Sequence, residues 1–199
     1  MVRTRTKSED IEERLTAAAL SILASEGPDA LSVRKVATVA GVAPMGIYAR
    51  FSSKAGLIQH LLSLGFERLA DALNVEASSP SERLLRSGAA YRAFALANPD
   101  LYRLMFARGF ANIEVSDEVH EQAGRAFGVL EAQVMELQNA LDANSMDSVD
   151  VAMLFWSGVH GFVSLELDEK NFSSHLDATF AILVEALLSG ITTQLIAGK

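Results

Sequence analysis

Residues 31–57 read LSVRKVATVAGVAPMGIYARFSSKAGL, an order of small, apolar and helix-breaking residues that few local structures accept. Ser32 is placed to N-cap a short helix in which Val33, Val36, Ala37 and Ala40 fall at helical spacing. Gly41 then supplies the side-chain-free position that a left-handed turn requires. Pro44 opens a second short helix, at a position where its missing N–H costs nothing. Ile47 and Phe51, four residues apart, give that helix a single apolar stripe. Two short helices joined by a tight glycine turn make a helix-turn-helix, which lays its second helix in the DNA major groove.

The small residue Ala37, the turn residue Gly41 and the aliphatic Ile47 match this motif, though many helical hairpins share such spacing. The continuation GIYARFSSKAGL is more specific: Tyr48 and Phe51, then Ser53-Lys54 opening the next helix, then Leu57. With the amphipathic helix before it, residues 8–62 resemble the N-terminal domain of the tetracycline-repressor (TetR) family of bacterial transcription regulators. The resemblance implies that Tyr48 and Lys54 bind phosphates, that Arg34 reaches a base edge or phosphate, and that Ile47 and Phe51 are structural. Pro44, Met45, Gly46, Tyr48 and Ala49 are expected to point outward from the recognition helix. Two residues depart from the family pattern. Ala43 stands where Ser or Thr is usual and removes a side-chain cap worth about 1 kcal/mol. Arg50 replaces an aromatic or His and adds a phosphate or guanine contact. In the basic arm before residue 8, Arg3 and Arg5 are candidates for phosphate or minor-groove contacts, an ordinary frayed terminus being the equal alternative.

Charge divides the chain. Its overall net charge is −8, but residues 1–60 hold eight Lys/Arg against six Asp/Glu, and residues 61–199 hold nine against nineteen. An acidic body with a mildly basic head can bind DNA, because screening confines fields to about 8–10 Å. We therefore expect a DNA-binding domain over residues 1–60 and an effector-binding and dimerisation domain over 61–199. With no cysteine, the chain has neither disulfides nor a thiolate metal site. Its longest uncharged run, residues 151–165, falls short of the roughly 20 apolar residues of a membrane span. The N-terminus lacks the apolar stretch of a signal peptide, so a cytoplasmic protein without a membrane partner is expected.

The remaining pattern is helical throughout, with no strand alternation and no repeat. Helices are expected over 9–25, over 52–75, over 80–97, at 101–107 behind an Asp100 cap, over 117–143, over 148–167, and from about 174 to 196. With the two of the motif this makes an all-α chain of about nine helices.

In the body, residues 155–162 (FWSGVHGF) resemble the Trp-His-Gly signature of one C-terminal subclass of the same family, and residues 98–106 resemble its sixth-helix region. Trp156 and His160 share one helix face and are read either as walls of an effector pocket or as a packed core pair. Tyr102, Met105, Phe106, Phe127 and Met153 complete the candidate effector-binding set, adaptable side chains that suit a hydrophobic ligand and an ordinary core equally. Gly158 and Gly161 each lower helix propensity by about 1 kcal/mol, which suggests close approach by a helix or ligand. The last helix carries one stripe of Leu176, Phe180, Leu183 and Leu187 and another of Ile182, Ala186, Ile191 and Leu195. A helix apolar on most of its circumference needs cover on more than one side. A homodimer through the last two helices supplies it, as the resemblance also implies.

Catalytic signatures are absent: there is no HExxH, no phosphate loop and no G-x-S-x-G, and the four histidines are scattered. The expected protein is no enzyme and needs no cofactor or metal. It is a ligand-responsive repressor that binds a palindromic double-stranded DNA operator as a dimer and answers to a small hydrophobic effector. The alternative is a dimeric small-molecule-binding or protein-interaction module without an operator.

Overall fold

A computed structural model describes residues 7–106, 114–143 and 145–198. Among the described residues there are nine α-helices, one 3-10 turn at Pro28–Ala30 and no strand. The helices are α1 (Lys7–Glu26), α2 (Val33–Ala40), α3 (Met45–Phe51), α4 (Lys54–Leu73), α5 (Pro80–Ala97), α6 (Pro99–Phe106), α7 (Asp117–Leu141), α8 (Ser148–Leu167) and α9 (Leu176–Ala197). The chain forms two compact units: Met1–Phe66 with Asn98–Gln122, and Glu67–Ala97 with Ala123–Lys199. Both α4 and α7 run through the two of them.

In the first unit α1 packs on α2, α3 and α6. Leu15, Ala19, Ile22, Leu23, Val36, Ala37, Ile47 and Leu57 are buried there. Each fully buried Leu, Ile or Val side chain of this set contributes about 1.5–3 kcal/mol relative to exposure. Helix α6 starts two residues earlier than its sequence suggests: the Tyr102 N–H donates to the Asn98 carbonyl at 2.8 Å, and Pro99 stands at the first helical position. Asp100 thus lies inside the first turn, paired with Arg103 at 3.2 Å, and does not cap the helix. Most of the loop expected at 109–116 falls outside the described residues. Gln59 holds its end, accepting from the Ser116 N–H at 3.1 Å and donating to the Glu114 carbonyl at 2.6 Å.

In the second unit α8 packs along α9, and α5 packs on both. Helix α8 has the bounds expected of it, and its N-cap is Asp147, whose carboxylate accepts from the Val149 N–H at 2.8 Å. A Cβ on Gly158 would stand 2.6 Å from Leu187 of α9, so the glycine does permit close helix approach. At Gly161 no atom of the chain itself lies within 4 Å of the corresponding position. Neither expected stripe of α9 is the buried one. The seam runs through Phe180, Val184, Leu188, Ile191 and Leu195, while Ile182 is 66% exposed. On a helix apolar nearly all round, the phase of the buried face is set by its neighbours, not by its own pattern.

Counting uncharged residues understates the apolarity of these helices. By length and composition α8 (mean hydropathy 1.3) and α9 (1.8) would each suffice to cross a membrane, yet only 28% and 22% of those windows is buried within the chain. Both leave large apolar side chains exposed, among them Val149, Met153, Leu154, Leu165, Ile182 and Ile196.

Candidate nucleic-acid interface and effector region

The α2-turn-α3 geometry follows from local chemistry. The Ser32 hydroxyl accepts from the Lys35 N–H at 3.3 Å, capping α2. Gly41 ends it at φ 61°, in the left-handed region, and the Val42 N–H returns to the Ala37 carbonyl at 2.9 Å. Pro44 is the N-cap of α3, one residue before the position expected of it, and no side chain caps this helix. A Cβ on Gly46 would lie 2.5 Å from Val42, so this outward candidate also has to be small for the turn to pack.

Burial sorts the remaining residues of the motif. Ile47 and Phe51 are buried, whereas Pro44, Met45, Tyr48, Ala49 and Arg50 are exposed, with Arg34 of α2 and Lys54 of α4. Arg3 and Arg5 lie outside the described residues. Helix α4 begins at Lys54 beyond Ser52, which sits at φ 61°, and the Ser53 hydroxyl accepts from the Gly56 N–H at 3.0 Å. At that junction Gly56 admits no side chain, its virtual Cβ falling 1.8 Å from the Phe51 carbonyl oxygen. Exposed N–H groups at a helix start beside a lysine suit a phosphate.

Two supports of this surface are not apparent in the motif itself. Arg14 of α1 donates from Nη2 to the Ala40 and Gly41 carbonyls, at 2.6 and 3.1 Å, fixing the C-terminal end of α2. A cation at helix-terminal carbonyls is favoured by the helix dipole as well. His60 of α4 pairs with the Thr16 hydroxyl at 2.9 Å and lies against Phe51, ring centroids 5.0 Å apart. Only the fold brings these distant residues to the motif.

The seven candidate effector residues fall in both units. In the first, Tyr102 and Met105 are buried, and Phe106 meets Tyr102 and Phe66 at ring distances of 4.8 and 5.8 Å. Gly65 of α4 makes room for Met105, whose Sδ would be 2.6 Å from a Cβ there. In the second, Phe127, Trp156 and His160 form a run of rings with centroids 6.2 and 5.2 Å apart. Met153 is exposed at 41%. The hub of the second group is Tyr91, which the sequence did not single out for this role. Its hydroxyl accepts from Trp156 Nε1 at 3.2 Å and stands 2.8 Å from His160 Nδ1. This order fits a neutral imidazole accepting at Nδ1, with Nε2 3.4 Å from Ser164 Oγ.

Burial pushes the His160 pKa below its ordinary 6.5, which has a consequence for stability. Between the lowered native pKa and 6.5 the unfolded chain binds more protons than the folded one, so stability rises with pH. Melting temperatures measured from neutral to mildly acidic pH should therefore fall as the pH drops through 6.5. In His160→Gln that dependence should be shallower, the other three histidines being common to both proteins. Equal slopes would show that His160 protonates as freely folded as unfolded.

No group of three or more His, Asp or Glu able to hold a metal ion occurs among the described residues. A helix-turn-helix with a buried apolar stripe and an exposed cationic face defines a DNA-binding protein. Residues 15–61 match the family of bacterial regulatory proteins of the tetR type, and residues 84–187 match the tetracyclin repressor-like C-terminal domain. The chain belongs to the TetR family of transcription regulators and carries that family's helix-turn-helix DNA-binding domain.

Among individual proteins, it is 24% identical over 181 residues to an uncharacterized HTH-type transcriptional regulator of Mycobacterium tuberculosis, covering 90% of this chain and 80% of the other. A Rhodococcus sp. RHA1 protein of unknown function is 26% identical, with a TM-score of 0.79 over 94% of this chain and 95% of that one. The fatty acid degradation regulator FadR from Bacillus halodurans shares the fold, with a TM-score of 0.75 at 19% identity over 94% and 98% of the two chains. The matching families are regulators, not enzymes.

Proposed function

We propose that this regulator is a repressor that binds a near-palindromic operator as a homodimer and releases it when a small hydrophobic effector binds its C-terminal domain. The observation that carries the DNA part is the exposed set of Arg34, Met45, Tyr48, Arg50 and Lys54 around the buried Ile47 and Phe51. In this reading residues 1–60 serve as the DNA head and 61–199 as the effector-binding and dimerising body, at work in the cytoplasm. Tyr48 and Lys54 hold phosphates, Arg3 and Arg5 add arm contacts, and Arg34 and Arg50 reach bases or phosphates. Pro44, Met45 and Gly46 offer few hydrogen-bonding groups, so specificity leans on Arg34, thymine-methyl contacts and DNA shape.

The dimer is supported by the apolar side chains that α8 and α9 leave exposed, together with a cleft of about 360 Å³ whose lining includes Leu154, Leu183 and Leu187. A second copy accounts for that apolarity without a membrane. The effector is read as contacting the aromatic groups, Tyr102, Met105 and Phe106 in one unit and Phe127, Met153, Trp156 and His160 in the other. Binding there shifts the population between dimer conformations with different head spacing, and α4, which belongs to both units, is the lever.

The test is selection of bound sequences from random duplex DNA at two salt concentrations, followed by affinity measurement on the recovered motif. A palindrome is expected. Lys54→Ala should weaken all sequences alike and reduce the salt slope by about 1. Arg34→Ala should relax preference at one base position, costing about 1–3 kcal/mol there. Unchanged base preference in Arg34→Ala would remove Arg34 from the reading face, and recovery of no motif would count against operator binding.

A further inference from the structure

A polar cleft of about 240 Å³ lies within the second unit, bounded by the end of α4, by α5 and by α7. It shares no residue with the aromatic effector groups or with the apolar cleft of α8 and α9. Two of its side chains carry buried polar atoms without a partner. Gln133, 5% exposed, donates from Nε2 to the Leu73 carbonyl at 2.8 Å, which fixes its amide orientation and leaves Oε1 as a buried, unpaired acceptor. Arg83 uses Nη1 on both carboxylate oxygens of Glu136, at 3.0 and 2.8 Å, while its buried Nε has no acceptor. A buried donor and a buried acceptor left unpaired on side chains that line one cleft are each costly, and each is relieved if its side chain turns toward a ligand of opposite hydrogen-bonding character.

The mouth repeats the same polarity. Arg125 and Asp71 line it and are exposed, one a cation with five donors and the other an acceptor-only anion. Two arginines against Asp71 and Glu136 leave the lining without net charge. Such a wall gives no advantage to an ion of either sign, but it favours a small molecule that carries both.

We propose that this cleft binds a small zwitterion of the α-amino-acid type. Its carboxylate is taken by the exposed Arg125 guanidinium and its ammonium group by the exposed Asp71 carboxylate, and Arg83 Nε and Gln133 Oε1, shut off from solvent in the free protein, turn to join them. The site is additional to the hydrophobic effector region and does not depend on operator binding.

The test is calorimetry and thermal melting of the full-length protein with each standard L-amino acid in turn, without DNA. At least one should bind and raise the melting temperature, as any ligand selective for the folded state must. Its decarboxylated amine and its N-acetyl derivative, each lacking one charge, should fail to bind. Arg125→Gln and Asp71→Asn, both at exposed positions where folding is safe, should each weaken binding about tenfold. Binding by no amino acid would overturn the proposal. So would binding that survives both substitutions, or an amine that binds as well as the parent amino acid.

Discussion

Leu154→Glu combined with Ile182→Glu is expected to turn a dimer into a monomer and to weaken operator binding at least about 100-fold. Both side chains are more than half exposed in the single chain, at 53% and 66%, so the substitutions place their new carboxylates in water and leave the fold of the monomer intact. In a two-fold interface each substituted position occurs twice, so a pair of substitutions places four carboxylates in the contact. Each costs about 2 kcal/mol or more, in lost apolar burial and in desolvation of an unpaired charge. The effect on DNA follows because a monomer holds one half-site where a dimer holds two. Sedimentation and operator titration of the same preparations check both halves. Dimers that persist would place the interface elsewhere; monomers that bind the full operator unchanged would refute the bivalent reading.

Arg92→Met should be the most damaging single change in the second unit. The guanidinium donates from Nε and Nη2 to the two oxygens of Glu166, at 2.7 and 2.6 Å, and Nη2 also meets Asp177 at 2.8 Å. It lies 5.2 Å from the centre of the Phe180 ring, so one side chain of α5 ties together α8 and α9. Glu166 is 9% exposed and Arg92 14%, so truncation leaves a carboxylate stranded out of water. Breaking a buried pair in this way costs about 3–5 kcal/mol, a fall of roughly 10 °C in melting temperature for a chain of this size. The Glu166 hydrogen bonds also raise the Arg92 pKa, so the arginine keeps its charge throughout. The double variant Arg92→Met with Glu166→Leu should recover most of the loss, because apolar replacement of both partners is close to neutral. Thermal melting of the single and double variants decides it. A double variant no better than the single would mean that the pair, not the stranded charge, carries the stability.

The sequence by itself determined what depends on near neighbours along the chain. Ser32 as cap, Gly41 as left-handed turn and Ile47 with Phe51 as buried stripe all stand where spacing put them. Helix α8 likewise has its expected bounds, because Asp147 caps its start and the apolar run has no breaker before Asp168. Family membership was legible for the same reason: the signature from Tyr48 to Leu57 is local, and its side chains are dictated by one turn and two helix ends. Where local signals were weak, boundaries moved by up to two residues, as at α6, where Pro99 outweighed Asp100.

Only the tertiary structure decided what depends on partners far along the chain. The Arg14 clamp on α2, the pairing of His60 with Thr16, and the Tyr91 hydroxyl between Trp156 and His160 join residues 26, 44 and 65–69 positions apart. The buried phase of α9 was equally hidden, since a helix apolar on most faces carries no periodic signal and takes its orientation from α5 and α8. The polar cleft of Gln133 and Arg83 is the extreme case. Each residue reads as an ordinary solvated position in its own helix, and only the approach of α4, α5 and α7 takes their polar atoms out of water. Spacing fixes which face a residue shares; what that face meets is a property of the packed fold.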